Sequence, residues 1–479
     1  MATSMTPAVE RPLCVDLDGT LVKSDTLVDS LLLLMRNQPL ALLRAPLWLA
    51  TGKAGFKREV VSRVQINVEH LPYNQPLLTY LMAQRGEGRR LYLATGADAG
   101  LADRIAEHLG IFDGVLSSDG ATNNIGANKL NRFRERFDGD FDYIGNARPD
   151  LPLLAAAATP MVANPSGGLR SAMRAKGLQA QQTFLDRRSG RRSFLKAIRF
   201  HQWAKNSLIF LPLLLAHKLN TGTLLAALIA FVCFSLCASA TYIVNDLLDI
   251  EADRRHPRKR MRVFASGDLS VATGIIIFAI FLVVAFLAAF LLLPVRFAGW
   301  LSFYLLTTLA YSLALKRIVV LDVVVLSTLY TLRLLAGASA AHAPISPWLA
   351  AFSVFIFLSL AMVKRFSELQ NVRAAGAQLV NGRGYLLTDI EQVRSFGTSS
   401  AFAAIVVFAV YIGQPDVHAL YHHPNRMWLM TPLMILWLCR VWLLASRGEL
   451  NEDPVVFALT DRMSLLMGAA AVAIGIASL

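Results

Sequence analysis

Charge is scarce in this 479-residue sequence: Asp, Glu, Lys and Arg make up 17% of it, against about a quarter in an ordinary soluble domain. A disordered chain, which carries charge in place of apolar residues, is thereby excluded. Hydrophobic residues fill 55% of positions, more than a soluble core absorbs, so a wholly soluble enzyme is excluded too. Cysteine is rarer still, and the four present, Cys14, Cys233, Cys237 and Cys439, lie in or beside apolar runs without metal-ligand spacing. Neither a disulfide scaffold nor a zinc site follows from them. Acidic side chains are the rarer sign, 33 against 47 Lys and Arg, for a net +14. A membrane protein keeps such an excess in its cytoplasmic loops and on faces that meet anionic lipid or phosphorylated ligands. No aromatic residues interleave with the basic stretches for base stacking, and no nucleic-acid partner is expected. Residues 1–10 lack a basic segment followed by an apolar one, so no cleaved signal peptide is expected and the N-terminal part stays in the cytoplasm.

What is present divides into two compositions. Residues 1–166 read as a soluble α/β domain, in which short apolar runs bounded by Gly, Asp and Pro alternate with helical stretches. Strands are expected at 11–18, 89–95, 113–117, 142–145 and 160–163, and the stretch 26–81 as a small helical cap, its alternative being an apolar face lying on the membrane surface. Residues 167–198 read as a basic linker along anionic headgroups. Beyond it, 199–479 forms an all-α membrane bundle of about nine spans, roughly 203–219, 224–244, 274–293, 298–315, 319–338, 347–363, 396–413, 428–445 and 463–478. The loop after the second span holds Arg254, Arg255, Arg258, Lys259, Arg260 and Arg262, that after the fourth Lys316 and Arg317, and that after the sixth Lys364, Arg365, Arg373, Arg383 and Arg394. Lys and Arg are retained inside, which places these loops and the soluble domain in the cytoplasm and the C-terminus outside the inner (plasma) membrane.

In the soluble part, Cys14-Val15-Asp16-Leu17-Asp18-Gly19-Thr20 ends an apolar strand in two carboxylates two residues apart. One can attack phosphorus, the other can protonate the leaving oxygen, and Mg²⁺ can hold the phosphoryl group. Thr95 ends the next strand, Lys129 follows a Gly-containing loop, and Tyr143-Ile144-Gly145-Asn146-Ala147-Arg148-Pro149-Asp150 ends another strand in an amide and a carboxylate suited to Mg²⁺. Four such strand ends in this order, over residues 10–166, resemble the haloacid dehalogenase (HAD) superfamily. The resemblance implies a Rossmann-like fold with Asp16 as nucleophile, Asp18 as acid and base, Thr95 and Lys129 on the phosphoryl oxygens, and Asn146 and Asp150 at the metal. That family's metal motif usually has Asp after the Gly; Asn146 removes one negative charge.

In the membrane part, Asn245-Asp246-Leu247-Leu248-Asp249-Ile250-Glu251-Ala252-Asp253 closes the second span. At 100° per residue Asp246, Asp249 and Asp253 share one helical face, with Asn245 on its edge. Three carboxylates there repel unless a cation lies between them, and oxygen-only ligands favour Mg²⁺ shared with a diphosphate. His256-Pro257-Arg258-Lys259-Arg260-Met261-Arg262 follows with cations for further phosphate oxygens. Asp322 and Arg333 in the fifth span are expected to face the bundle interior.

The Asn-Asp-x-x-Asp-x-x-x-Asp segment among many spans resembles the UbiA prenyltransferase superfamily over 199–479. Its usual second Asp-rich motif is absent here, and Lys364-Arg365-Phe366-Ser367-Glu368 stands in that loop. With Arg199-Phe200-His201-Gln202-Trp203-Ala204-Lys205-Asn206, His256-Pro257-x-Lys259-x-x-Arg262 and Glu452-Asp453…Asp461-Arg462, the chain resembles the branch of decaprenyl-phosphate phosphoribosyltransferases. Val263 stands where that branch usually has Pro. The resemblance implies transfer of phosphoribose from phosphoribosyl diphosphate (PRPP) to a polyprenyl phosphate. Asp246, Asp249 and Asp253 would serve the Mg²⁺–diphosphate, and Asn245, Lys205, Lys259, Arg262, Lys364 and Arg365 would bind substrate. The fused phosphatase would then dephosphorylate the product. Two alternatives stay open: transfer of a prenyl group from a prenyl diphosphate to an aromatic or other apolar acceptor beside a regulatory HAD domain, or a non-catalytic lipid binder. Membrane lipids are partners on any of these readings, and a homo-oligomer is left open.

Overall fold

A computed structural model describes residues 11–118, 124–188, 190–344, 346–374, 376, 384–450 and 453–479, with the backbone alone at Asp416 and Ala419. Residues 1–10, Arg383 and Glu452 lie outside these. The chain divides into two compact units, Met1–Ile198 with Tyr242–Ile277, and Arg199–Thr241 with Phe278–Leu479.

The first unit is built on a parallel sheet of β1 (Leu13–Val15), β2 (Leu91–Asp98), β3 (Gly114–Ser118), β4 (Asp142–Gly145), β5 (Pro160–Ala163) and β6 (Gln182–Phe184), ordered β3-β2-β1-β4-β5-β6. Cys14 lies opposite Tyr92 on one side and Tyr143 on the other. β1, β4 and β5 are buried along their whole length, as strands covered on both faces must be. Alternation sends Leu13 and Val15 into one core with Leu91, Leu93 and Ile144, and Cys14 into the other with Phe133, Phe141 and Tyr143. The order reverses between β1 and β4, and a crevice at such a switch point is where a doubly wound sheet binds ligands.

The five expected strands are present with ends moved by up to three residues, and β6 is additional. Residues 167–198 are therefore more than a linker. Helix Gly167–Ala175 buries Leu169 and Met173, and β6 pairs with β5 and buries Phe184, while Arg170 and Arg174 remain exposed. Between β1 and β2 stands a helical insert, Thr26–Asn37, Ala45–Ala50 and Gly52–Val61, around a small core of Leu34, Trp48, Val60 and Val64.

The second unit is helical. Its largest core joins Val323, Leu334, Phe357, Val363, Val441 and Trp442. Among the described residues of the whole chain, six helices are long and apolar enough to cross a membrane: Thr221–Leu248, Val271–Leu292, Leu321–Ala340, Pro347–Ala374, Leu387–Ile412 and Pro424–Ser446. Pro454–Thr460 and Arg462–Ser478, bent by 77°, make a seventh if taken as one span. The expected nine falls to six or seven for local reasons. Residues 200–215 form a 3₁₀ segment, Phe200–Phe210, and a five-residue helix, Leu211–Leu215, a broken run and not one long helix. Helix Val295–Leu313 carries Ser302, Thr307, Thr308, Tyr311 and Ser312 among its apolar residues.

Candidate functional sites

A cavity of about 440 Å³ opens at the carboxyl ends of β1 and β4, lined by Asp16, Asp18, Lys57, Lys129, Asn146 and Asp150 among others. The Lys129 ammonium donates to Asp16 Oδ1 at 2.8 Å and to the Tyr143 hydroxyl at 3.0 Å, while Thr20 Oγ1 approaches Asp16 Oδ2 at 3.4 Å. Burial raises Asp16 to about 6 although Lys129 pulls it down. Asp18 Oδ1 accepts the Thr26 amide at 2.7 Å, and burial, with the Asp25 charge adding to it, raises Asp18 to about 7. Gly19 is required here: its φ is +77°, and a Cβ would stand 1.9 Å from Asn146 Nδ2, so Asn146 closes directly over the turn.

The structure gathers Asp16, Asp18, Lys129, Asn146 and Asp150 around the cavity. Asp150, however, is engaged: Oδ2 accepts the amides of Asn146 and Ala147, and Oδ1 accepts the Tyr143 hydroxyl. Its carboxylate shapes the turn that presents Asn146. Thr95 is fully buried, and its Oγ1 accepts the Ala97 amide at 3.0 Å; its neighbours Gly96 and Ala97 line the cavity. The sequence reading missed Lys57, whose ammonium donates to the Gly96 carbonyl at 2.6 Å and whose burial lowers its pKa, and Arg187, also on the wall. A basic residue in an amphipathic insert carries no sequence signal that separates it from a solvated one.

The aspartate segment belongs to the same unit. Arg262 Nη1 lies 2.7 Å from Asp253 Oδ2 and 3.1 Å from Asp246 Oδ1, so two carboxylates seven residues apart converge on one cationic atom. Asp249 turns elsewhere, to Arg36 Nη1 at 3.1 Å. The shared face is broken because the helix ends at Leu248 and Asp249, with φ −96° and ψ 5°, starts the short helix Ile250–Arg255. Among the described residues no three His, Cys, Asp or Glu side chains gather as metal ligands. Asn245 is half-buried and its carbonyl accepts the Asp249 amide at 3.0 Å; Lys259 is exposed. Burial raises the Asp253 pKa against the pull of Arg262, and Arg254 donates to Asp29 and Ser24 at 2.8 and 3.0 Å.

In the second unit, Lys205 and Lys364 both reach Asp453 Oδ2, at 2.7 and 3.1 Å, and the Tyr330 hydroxyl donates to Asp453 Oδ1 at 3.1 Å. Arg365 departs from its expected place on phosphate. Helix Pro347–Ala374 runs past the predicted end of the span, so Arg365 is wholly buried against Asp322 at 2.7 Å. Tyr385 donates to the same Asp322 at 2.7 Å. Arg333 also faces inward, donating to Asn206 Oδ1 at 2.8 Å and to the Tyr304 hydroxyl at 3.3 Å.

The model of the UbiA prenyltransferase family matches residues 207–471. An uncharacterized protein, y4nM, of Sinorhizobium fredii is 38% identical over 461 residues, 96% of this chain and 89% of that protein. A decaprenyl-phosphate phosphoribosyltransferase of Mycobacterium tuberculosis is 32% identical over 287 residues, 58% of this chain and 91% of that protein. The solved structure of a UbiA homolog from Archaeoglobus fulgidus, bound to GPP and Mg²⁺, covers 60% of this chain and 99% of its own at 15% identity and a TM-score of 0.46. By the family match and the near full-length relative, the chain belongs to the UbiA prenyltransferase family.

Proposed function

We propose that this protein transfers phosphoribose from PRPP to a polyprenyl phosphate, and that its phosphatase-type domain then removes the 5-phosphate from the lipid-linked ribose. The observation that carries the transferase reading is the sharing of one carboxylate, Asp453, by Lys205 and Lys364. Two ammonium groups that converge at one carboxylate form a pair of charged donors of the kind that binds phosphate oxygens. The 32% identity to a decaprenyl-phosphate phosphoribosyltransferase supports the choice of donor and acceptor.

In the transfer, the bond from the anomeric carbon to the diphosphate breaks with its electron pair leaving on pyrophosphate, and a lipid phosphate oxygen bonds to that carbon. Basic side chains stabilise the charge on the leaving oxygens. The residues present fit Mg²⁺ through Asp246 and Asp253, whose carboxylates already converge on one cationic atom, while Asp249 pairs with Arg36. They would hold the ion, which supplies neutralisation of the diphosphate. In the phosphatase, Asp16 attacks phosphorus, the ribose oxygen leaves with a proton from Asp18, and Asp18 then takes a proton from the water that cleaves the acyl phosphate. Burial suits Asp18 to this task by keeping its proton near neutral pH. Asp16, Asp18 and Asn146 offer oxygen donors in the cavity for a second Mg²⁺.

The loop cations support a soluble domain in the cytoplasm and a C-terminus outside the plasma membrane. Purified full-length protein, given Mg²⁺ and a polyprenyl phosphate, is expected to release pyrophosphate from PRPP, and an Asp16→Asn variant to make the lipid product but retain its 5-phosphate. Product formed instead from a prenyl diphosphate and an aromatic acid would replace this reading with general prenyl transfer.

A further inference from the structure

The helical insert of the soluble domain has two faces. Ala41, Ala45 and Trp48 pack into the insert's own core. Leu40, Leu43 and Leu47 point the other way and are 78%, 77% and 70% exposed, with Leu49 beside them at 57%. Four leucines this exposed on a dozen residues form a patch that the domain's own packing leaves uncovered. The surrounding charge has one sign. From residue 30 to residue 58 the chain carries Arg36, Arg44, Lys53, Lys57 and Arg58 and no acidic residue.

A third observation sets the level of this patch. The Arg36 guanidinium donates to the carbonyl of Leu248 at 3.3 Å and pairs with Asp249. Leu248 is the last residue of Thr221–Leu248, a helix long and apolar enough to span a bilayer. Arg36 is thus held at the polar end of that helix, whose last turn carries Asn245 and Asp246, and Leu40 follows four residues later.

We propose that residues 39–50 lie in the bilayer interface, with Leu40, Leu43 and Leu47 among the upper acyl chains and Arg44, Lys53 and Arg58 on anionic headgroups. The partner is the lipid surface itself. An apolar stripe beside a basic flank is the composition of an interfacial helix, which binds through buried apolar area and attraction to anionic lipid together. Such an anchor tethers the phosphatase cavity to the surface on which a lipid-linked phosphate is presented.

Full-length protein in a Cys439→Ser background, carrying a single Leu43→Cys or Leu47→Cys, is labelled with nitrobenzoxadiazole and placed in vesicles containing phosphatidylglycerol. Both positions are expected to emit blue-shifted light and to lose most of their intensity to doxyl-labelled lipid. A label at Arg134→Cys, exposed on another helix of the domain, should remain water-like and unquenched. Adding Leu40→Glu should abolish quenching at position 47. Water-like emission at 43 and 47 overturns the proposal, and so does a blue shift without quenching by lipid, which would assign the patch to a second copy of the chain.

Discussion

Arg254 and Asp29 form a buried ion pair at 2.8 Å, with 2% and 4% of their side chains exposed. Asp29 lies on the first helix after the phosphatase-type motif, and Arg254 lies one residue past the last aspartate of the membrane family's motif. Ser24 Oγ and the Ala265 carbonyl complete the guanidinium's partners. Removing one member leaves the other charged and buried, so Asp29→Ala or Arg254→Ala should each cost about 3–5 kcal/mol, whereas a volume-matched Asp29→Leu with Arg254→Met should cost less than either. Thermal unfolding of the full chain in detergent, with the parent and all three variants compared, measures this.

Asp253→Asn is expected to lower turnover by several orders of magnitude with little loss of stability, because the amide keeps a contact with Arg262 while the ligand charge is gone. Lys364→Ala should act otherwise, raising the KM for PRPP more than it lowers kcat, as loss of a contact made both before and during reaction does. Steady-state release of pyrophosphate separates the two. Equal effects on kcat from both variants would remove Lys364 from the ground-state complex.

Burial would push the Asp453 carboxyl up, but Lys364 and Lys205 outweigh it and hold the group well below the usual carboxylate range. A depressed folded pKa stabilises the fold above the unfolded value and loses that contribution as pH falls toward the folded one. Asp453→Asn should therefore be less stable than the parent at pH 7. The difference should narrow as pH drops below about 4. Unfolding midpoints across that range check the sign.

A Cβ added at Gly337 would stand 2.1 Å from the backbone carbonyl oxygen of Ile209. Backbone cannot yield as a flexible side chain does, so Gly337→Ala should destabilise by roughly 1–3 kcal/mol. It should also displace the segment that carries Lys205 and Asn206, lowering transfer at temperatures where the protein remains folded. Midpoint and rate measured on the same preparation test both.

A cysteine placed at Leu479, which is exposed, should react with an impermeant reagent from the extracytoplasmic side of intact cells if the loop cations set the orientation. Reaction only after permeabilisation would reverse the orientation.

The strand ends that carry Asp16 and Asn146 were legible in the sequence because Gly and Asp stop apolar runs sharply there, whereas Thr95 lies inside β2, which runs on to Asp98. β6 was not, since Gln182-Thr183-Phe184 offers one apolar residue in three. The carboxylate spacing at 246, 249 and 253 implied one cluster, of which Asp246 and Asp253 converge and Asp249 does not. A shared face assumes an unbroken helix, whereas the helix breaks at Asp249, which pairs with Arg36, a partner distant in sequence. Arg365 was misplaced for a similar reason: its burial follows from a helix that continues to Ala374 and from Asp322 on its neighbour. Long-range charge pairs of this kind leave no periodic trace.

The order in which partners leave the ribosome differs for the two charges of helix Leu321–Ala340. Arg333 finds Asn206, Phe234 and Tyr304, all made before it. Asp322 depends on Arg365 and Tyr385, both made after it. A charge alone in hydrocarbon costs about 2.5–3.5 kcal/mol on insertion scales. Asp322, in the first turn of that helix, thus keeps an unmatched carboxylate until helix Pro347–Ala374 brings Arg365 to it, so the packing of the two helices is coupled through this pair.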